Sequence, residues 1–204
     1  AVAEALGEAA EEALLKASGI ITGEEFRSMP ILRRAARRLA YLVPITGLLL
    51  ISVLVIAVFE KSVLTKFPAI AIFLPLVAGL CGSAGNQAVA VSLREMALGL
   101  VKPADAWLVL AKEMAVGVIN GIILGVILLA ICWVWKGNLR MGMAVGGAVP
   151  LAMLVAPALG GAIPLLLEHV GIDPAMASGP ILTTVVDFFS FFAILSLAYI
   201  LLMP

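Results

Sequence analysis

Five long apolar stretches constrain the fold of this chain more than any other feature. They run over residues 39–59, 67–93, 114–135, 141–167 and 174–204. A helix needs about 20 apolar residues to cross the hydrocarbon core of a bilayer, and each stretch reaches that length. The chain is 63% hydrophobic, more than a water-soluble domain of 204 residues can bury. Because only helices satisfy their own backbone in lipid at such lengths, we predict an all-α integral membrane protein with five transmembrane helices per subunit.

The residues before the first stretch differ from everything that follows. Residues 1–18 are rich in alanine and glutamate and predict an amphipathic acidic helix. The helical spacing places four glutamates on one face of it, namely Glu4, Glu8, Glu11 and Glu12. This face is either a solvated surface or a regulatory surface that meets another acidic surface through bridging cations. A basic cluster, Arg33 to Arg38, then leads directly into the first span.

The distribution of basic residues predicts the orientation of the spans. Nine of the 13 lysines and arginines lie in segments on the side of the N-terminus, and four lie in loops on the other side. Because loops rich in lysine and arginine stay inside, the N-terminus is predicted to be cytoplasmic and the C-terminus external, in a multi-pass protein of the cell (inner) membrane. The juxtamembrane position of the basic cluster is explained by orientation and anionic lipid, so we expect no nucleic-acid partner.

Asp187 is the strongest functional signal in the sequence. It lies about eight residues into the last span, roughly 12 Å deep at 1.5 Å per residue. A carboxylate at such depth costs roughly 2.5–3.5 kcal/mol on insertion scales, so it must face water or a protein interior. Thr183, Thr184 and Ser190 are its helical neighbours, and Gly179 extends this polar stripe toward the cytoplasm. Intramembrane acids are usually functional, although a structural carboxylate bonded to a neighbouring helix is the simpler alternative.

The second and third spans carry small and polar residues. Residues 79–87 combine three glycines with Asn86 and Gln87, whose amide oxygens are ligands that hard cations accept. Close helix packing through small residues explains the same segment equally well. In the third span, three glycines recur every fourth residue and predict a packing ridge: Gly117, Gly121 and Gly125. Asn120 lies beside them and is predicted to form a helix–helix hydrogen bond.

An enzyme is not expected. The sequence has a single histidine, no nucleophile–base pair and no glycine-rich phosphate loop. An intramembrane aspartyl protease would need two aspartates at depth, and only Asp187 lies there, since Asp173 falls in a loop.

Two motifs resemble the signature of the MgtE family of magnesium channels. One is the segment Phe73 to Ala88, with its Gly-Ser-Ala-Gly-Asn-Gln core, and the other is the segment Asp173 to Asp187. The run Arg94 to Gly99 is also similar, and the resemblance covers essentially the whole chain. The family often has asparagine where this chain has Ser83.

The resemblance implies a homodimer with one pore on the dimer axis, lined by the second and fifth spans. Asp187 matches the family's selectivity aspartate, and Thr183 matches the residue whose backbone carbonyl lies one turn earlier. Gly82 and Asn86 match pore-facing positions, and Gly179 matches a cytoplasmic constriction. Mg²⁺ is then the transported ion and also a regulatory one, sensed by cytoplasmic N and CBS-type domains that are missing here. Residues 1–38 would be the end of the connecting helix with its basic lead-in, and 39–204 the pore domain.

Together these observations favour a Mg²⁺-selective channel in which Thr184 and Gln87 join Gly179 around the pore. A pair of carboxylates related by a two-fold axis gives a site charge near −2, which suits a divalent cation. A cation-coupled secondary transporter that uses Asp187 as its coupling site is the main alternative, but the five spans show no internal repeat of the transporter kind. A purely structural subunit would leave the cost of burying Asp187 unexplained.

Overall fold

The computed structural model describes residues 28–203, and within that range it contains helices and no β-strand. The five long helices are α1 (Ile31–Phe59), α2 (Leu74–Ala97), α3 (Ala106–Lys136), α4 (Leu139–His169) and α5 (Pro174–Leu202). A π-helical turn, Glu60–Leu64, and a 3₁₀ turn, Pro68–Ile72, join α1 to α2, and a 3₁₀ turn, Pro103–Asp105, precedes α3. All five helices are long and apolar enough to cross a membrane. The prediction of an all-α protein with five spanning helices is confirmed.

Two of the helices, α1 and α3, begin eight residues before the apolar stretches that predict them. α1 starts at Ile31, so the basic cluster Arg33 to Arg38 is its first two turns rather than a lead-in outside the helix. α3 starts at Ala106, eight residues before the predicted span. The physical reason is that a helix continues into the polar interface as long as its backbone bonds are made, whereas hydropathy detects only the part in lipid. The predicted acidic helix and its four glutamates lie outside the described residues.

α4 is the centre of the bundle. It packs against α2, α3 and α5, and 67% of its most apolar stretch is buried, compared with 11% for α1. Its contact with α3 is an unusually close seam, made where glycines of both helices meet. A methyl group added at Gly125 would lie 2.6 Å from the carbonyl oxygen of Gly146, and one at Gly121 would lie 2.7 Å from Cα of Pro150. The prediction that the glycines of α3 form a packing ridge is confirmed.

A second close crossing joins α2 to α4. A methyl group at Gly160 would overlap the carbonyl oxygen of Gly85, and the Ser92 hydroxyl donates a hydrogen bond of 2.8 Å to the carbonyl of Gly161. Such approaches are typical of membrane helices, where small residues let backbones pack directly. They fix α2 on one side of α4, with α3 on another and α5 on a third.

Candidate functional site

α2 and α5 lie side by side and meet at two levels. Gly85 of α2 faces Leu182 of α5, whose Cδ2 would be 3.0 Å from a methyl group at the glycine. Farther along, the Cys81 thiol lies beside the Ser190 hydroxyl, and both residues are completely buried. The contact therefore runs through the middle of both helices.

Each of these two helices also has a side of small and polar residues that is at least partly exposed. At 100° per residue, Asp187, Thr183 and Gly179 share one side of α5, and Gly79, Gly82 and Asn86 share one side of α2. Asn86 and Thr183 are exposed, while Gly82, Gly179 and Asp187 are partly exposed. A methyl group at any of the three glycines would meet no atom within 4 Å. We call these six residues the open face: Gly79, Gly82, Asn86, Gly179, Thr183 and Asp187.

The carboxylate of Asp187 stands apart from the polar side chains of residues 28–203. In the part of the chain that the structure describes, its carboxylate forms no hydrogen bond and no ion pair. The neighbouring Thr183 hydroxyl donates to the carbonyl oxygen of Gly179, at 3.0 Å, and so leaves its own lone pairs free to accept. The structural alternative for Asp187, a bond to a neighbouring helix, therefore finds no support within residues 28–203.

Two residues predicted to surround a pore, Thr184 and Gln87, lie outside the open face. Thr184 is 6% exposed and belongs to the contact between α5 and α1, where its carbonyl oxygen accepts a hydrogen bond of 3.2 Å from Ser52. Gln87 lines a cleft between α2 and α3 of about 280 Å³, together with Ser83 and Asn120. The polar stripe of α5 is thus divided, because Thr183 lies on the open face, Thr184 against α1 and Ser190 against α2.

The cleft between α2 and α3 also corrects the prediction for Asn120. Its side chain is exposed and makes no hydrogen bond to any residue from 28 to 203, so it does not join two helices within one chain. Met153 of α4 forms the floor of the cleft. The glycines of α3 hold the helix against α4, and this turns Asn120, one residue before Gly121, away from the seam.

The open face offers oxygen ligands without a preformed cage. Among residues 28–203 no group of three or more His, Cys, Asp and Glu side chains is close enough to hold a metal ion. One carboxylate, one amide and one hydroxyl line a surface that glycines leave free of bulk. Such a surface can hold a hydrated cation through its waters, or complete a site together with a second copy of itself.

Comparison with known proteins gives a consistent result. Residues 74–197 match the model of the MgtE family, described as divalent cation transporter. The chain is 32% identical over 179 residues to the magnesium transporter MgtE of Enterococcus faecalis, a match covering 87% of this chain and 39% of that protein. It is 31% identical over 156 residues to the Bacillus subtilis protein of the same name, covering 76% of this chain and 34% of the relative.

A third relative, the magnesium transporter MgtE of Thermus thermophilus, is 32% identical over 142 residues, which cover 70% of this chain and 31% of that protein. The chain thus spans well under half the length of each of these relatives. The family match begins at Leu74 and ends at Leu197, so it contains every residue of the open face.

Proposed function

The chain belongs to the MgtE family of divalent cation transporters, and we propose that it conducts Mg²⁺ along the open face of α2 and α5. The observation that carries the proposal is the unpartnered carboxylate of Asp187, which lies in a spanning helix and beside small and polar residues. Its relatives are named magnesium transporters, which supports Mg²⁺ as the ion carried.

We infer that the functional unit is a homodimer in which two open faces meet on a two-fold axis. A carboxylate facing lipid costs roughly 2.5–3.5 kcal/mol, and the exposed amide of Asn86 adds to that cost. A second copy removes both from lipid and doubles the charge of the site. The glycines of the open face leave the space that a water-filled path between the copies needs.

The chemistry of the open face suits Mg²⁺ as cargo. This ion dehydrates reluctantly and prefers oxygen ligands, so a path through which it passes with most of its waters is favoured. The two Asp187 carboxylates would attract the ion, while Asn86 and Thr183 would accept hydrogen bonds from its water shell. Gly82 and Gly179 would keep the path wide enough for a hydrated ion, with Gly179 nearest the cytoplasmic end.

Localisation and regulation follow as parts of the same proposal. The excess of lysine and arginine on the side of the N-terminus, nine of 13, favours a cell-membrane protein with its N-terminus in the cytoplasm and its C-terminus outside. Because the relatives are much longer than this chain, we propose that further cytoplasmic domains act together with it.

Substitution of Asp187 tests the proposal. The chain, purified and reconstituted into liposomes that contain a Mg²⁺-sensitive dye, should take up Mg²⁺, and Asp187→Asn should slow uptake by at least about tenfold, because losing even about 1.4 kcal/mol of stabilisation changes a rate by that factor. Asp187→Glu keeps the charge and should retain part of the rate. Asp173→Asn is the matched control, since Asp173 caps the start of the same helix and asparagine caps equally well.

Electrical recording separates a channel from the alternative, a cation-coupled transporter. A channel gives unitary Mg²⁺ currents that reverse at the Mg²⁺ equilibrium potential, whereas a coupled transporter gives a flux that depends on a second ion gradient. Normal Mg²⁺-selective uptake by Asp187→Asn would overturn the assignment of Asp187 to the ion path.

A further inference from the structure

α1 is the least buried of the five helices and has one main neighbour. Only 11% of its most apolar stretch is buried, and within residues 28–203 the long helix it packs against is α5. A helix held so lightly contributes little to the hydrophobic core of one chain. What it does contribute is two hydrogen bonds and an aromatic contact with α5, the helix that carries Asp187.

These contacts lie at three successive levels along both helices. Near the cytoplasmic end, the Tyr41 hydroxyl donates to the carbonyl oxygen of Met176 at 3.4 Å. In the middle, the Ser52 hydroxyl, 2% exposed, donates to the carbonyl oxygen of Thr184 at 3.2 Å. Toward the other end, the Phe59 ring packs edge-on against Phe192, with centroids 6.4 Å apart. The two helices therefore run parallel along most of their length.

The Tyr41 contact falls where α5 lacks a backbone bond. Pro180 is inside α5 and has no N–H, so the carbonyl oxygen of Met176, four residues earlier, has no partner in the helical ladder. In lipid such an orphan is costly, and Tyr41 supplies the missing donor. Gly179 stands next to Pro180, which makes this turn the weakest part of α5.

The two hydrogen bonds bracket one segment of α5. Met176 and Thr184 are its ends, and Gly179 and Thr183 of the open face lie between them. On the opposite side Leu182 packs against Gly85 of α2, so the segment is held between α1 and α2. A displacement of α1 would thus be passed to the part of the open face nearest the cytoplasm.

We propose that Tyr41 and Ser52 are positioning residues that hold residues 176–184 of α5 and thereby set the width of the open face at Gly179 and Thr183. The inference rests on the proposed function for its effect on cations, but the hydrogen bonds themselves can be tested without transport. It also gives α1 a role, since its first two turns carry the basic cluster and its next turns carry Tyr41.

The test compares variants that remove one donor each. Tyr41→Phe and Ser52→Ala lose only a hydroxyl. The control Thr46→Ala loses an exposed hydroxyl of the same helix, which bonds back to the carbonyl of Leu42 at 2.9 Å. Ser52→Thr restores a donor. Each chain is placed in lipid nanodiscs for amide hydrogen exchange of residues 174–187, and in liposomes for initial rates of Mg²⁺ and Co²⁺ uptake.

We expect Tyr41→Phe and Ser52→Ala to speed exchange in 176–184 by about threefold or more, the factor that an average membrane hydrogen bond is worth. The ratio of Mg²⁺ to Co²⁺ uptake should fall by a similar factor, with recovery in Ser52→Thr and no change in Thr46→Ala. Unchanged exchange in both variants overturns the proposal. Faster exchange with an unchanged uptake ratio also overturns it, because the bonds would then only stabilise α5. A wild-type chain that carries neither cation overturns the proposed function. A wild-type chain that carries Mg²⁺, with variants whose exchange or uptake ratio does not change as expected, overturns the positioning role alone.

Discussion

Glycines occur in two very different settings in this bundle. Along the seam between α3 and α4, Gly117 and Gly125 pack so closely that a methyl group would run into the backbone of α4. On the open face, Gly82 of α2 and Gly179 of α5 have no atom within 4 Å of such a methyl group. The same residue type therefore permits contact in one place and leaves empty space in the other.

The difference separates structural from functional use of small residues. In the seam the absence of a side chain is explained by what the glycine touches, because close backbone approach is what drives helix association in lipid. On the open face no contact with residues 28–203 explains it, and a glycine inside a helix costs about 1 kcal/mol relative to alanine. That cost is understandable if a second chain and a hydrated cation occupy the space.

The largest effect is expected in the seam. Gly117→Val places side-chain atoms on the carbonyl oxygen of Met153 and against Pro157, neither of which can move without shifting α4. Overpacking of this kind costs typically 1–3 kcal/mol or more, so little folded protein should be recovered. Thermal unfolding of the detergent-solubilised chain measures the loss. Gly79→Val, in open space on α2, is the matched control; equal stability of the two variants would contradict the distinction between the two settings.

Substitution of glycines on the open face should affect Mg²⁺ uptake and not folding. Gly82→Ala and Gly179→Ala meet no atom and gain helix propensity, so folding should be unchanged or stabilised by up to about 1 kcal/mol. Mg²⁺ uptake should nevertheless slow severalfold, because the methyl groups of both copies narrow the proposed path. Reconstituted uptake at matched protein amounts is the measurement. Full uptake in both variants would mean that the space is not used by the ion.

Two adjacent amides provide a finer comparison. Asn86 lies on the open face, whereas Gln87 lines the cleft toward Asn120. Asn86→Leu and Gln87→Met remove an amide at similar volume, and only the first should slow Mg²⁺ uptake, by a few-fold, since one water-mediated contact is worth little more than a single hydrogen bond. A larger loss for Gln87→Met would place the path in the cleft between α2 and α3.

The number and type of the helices followed from hydropathy, because twenty apolar residues in lipid leave the backbone no alternative to a helix. The starts of the helices did not follow from hydropathy, because turns at the membrane interface are polar. The arginines in the first two turns of α1 are an example. The pairing of Asp187 with Thr183 was predictable from their spacing of four. The separation of Thr184 and Gln87 from the open face was not predictable, since the side of a helix that meets a neighbour is decided by packing among all five helices.

The central claim is that the open face meets water inside the membrane while the rest of the outer surface meets lipid. Cysteine accessibility tests it directly, because the native Cys81 and Cys132 are completely buried and give little background. Thr183→Cys on the open face and Ile119→Cys on the outer surface of α3, 61% exposed, are treated in liposomes with a charged, membrane-impermeant thiol reagent. We expect Thr183→Cys to react, more slowly when Mg²⁺ is present, and Ile119→Cys not to react. An unreactive Thr183→Cys together with a reactive Ile119→Cys would contradict it.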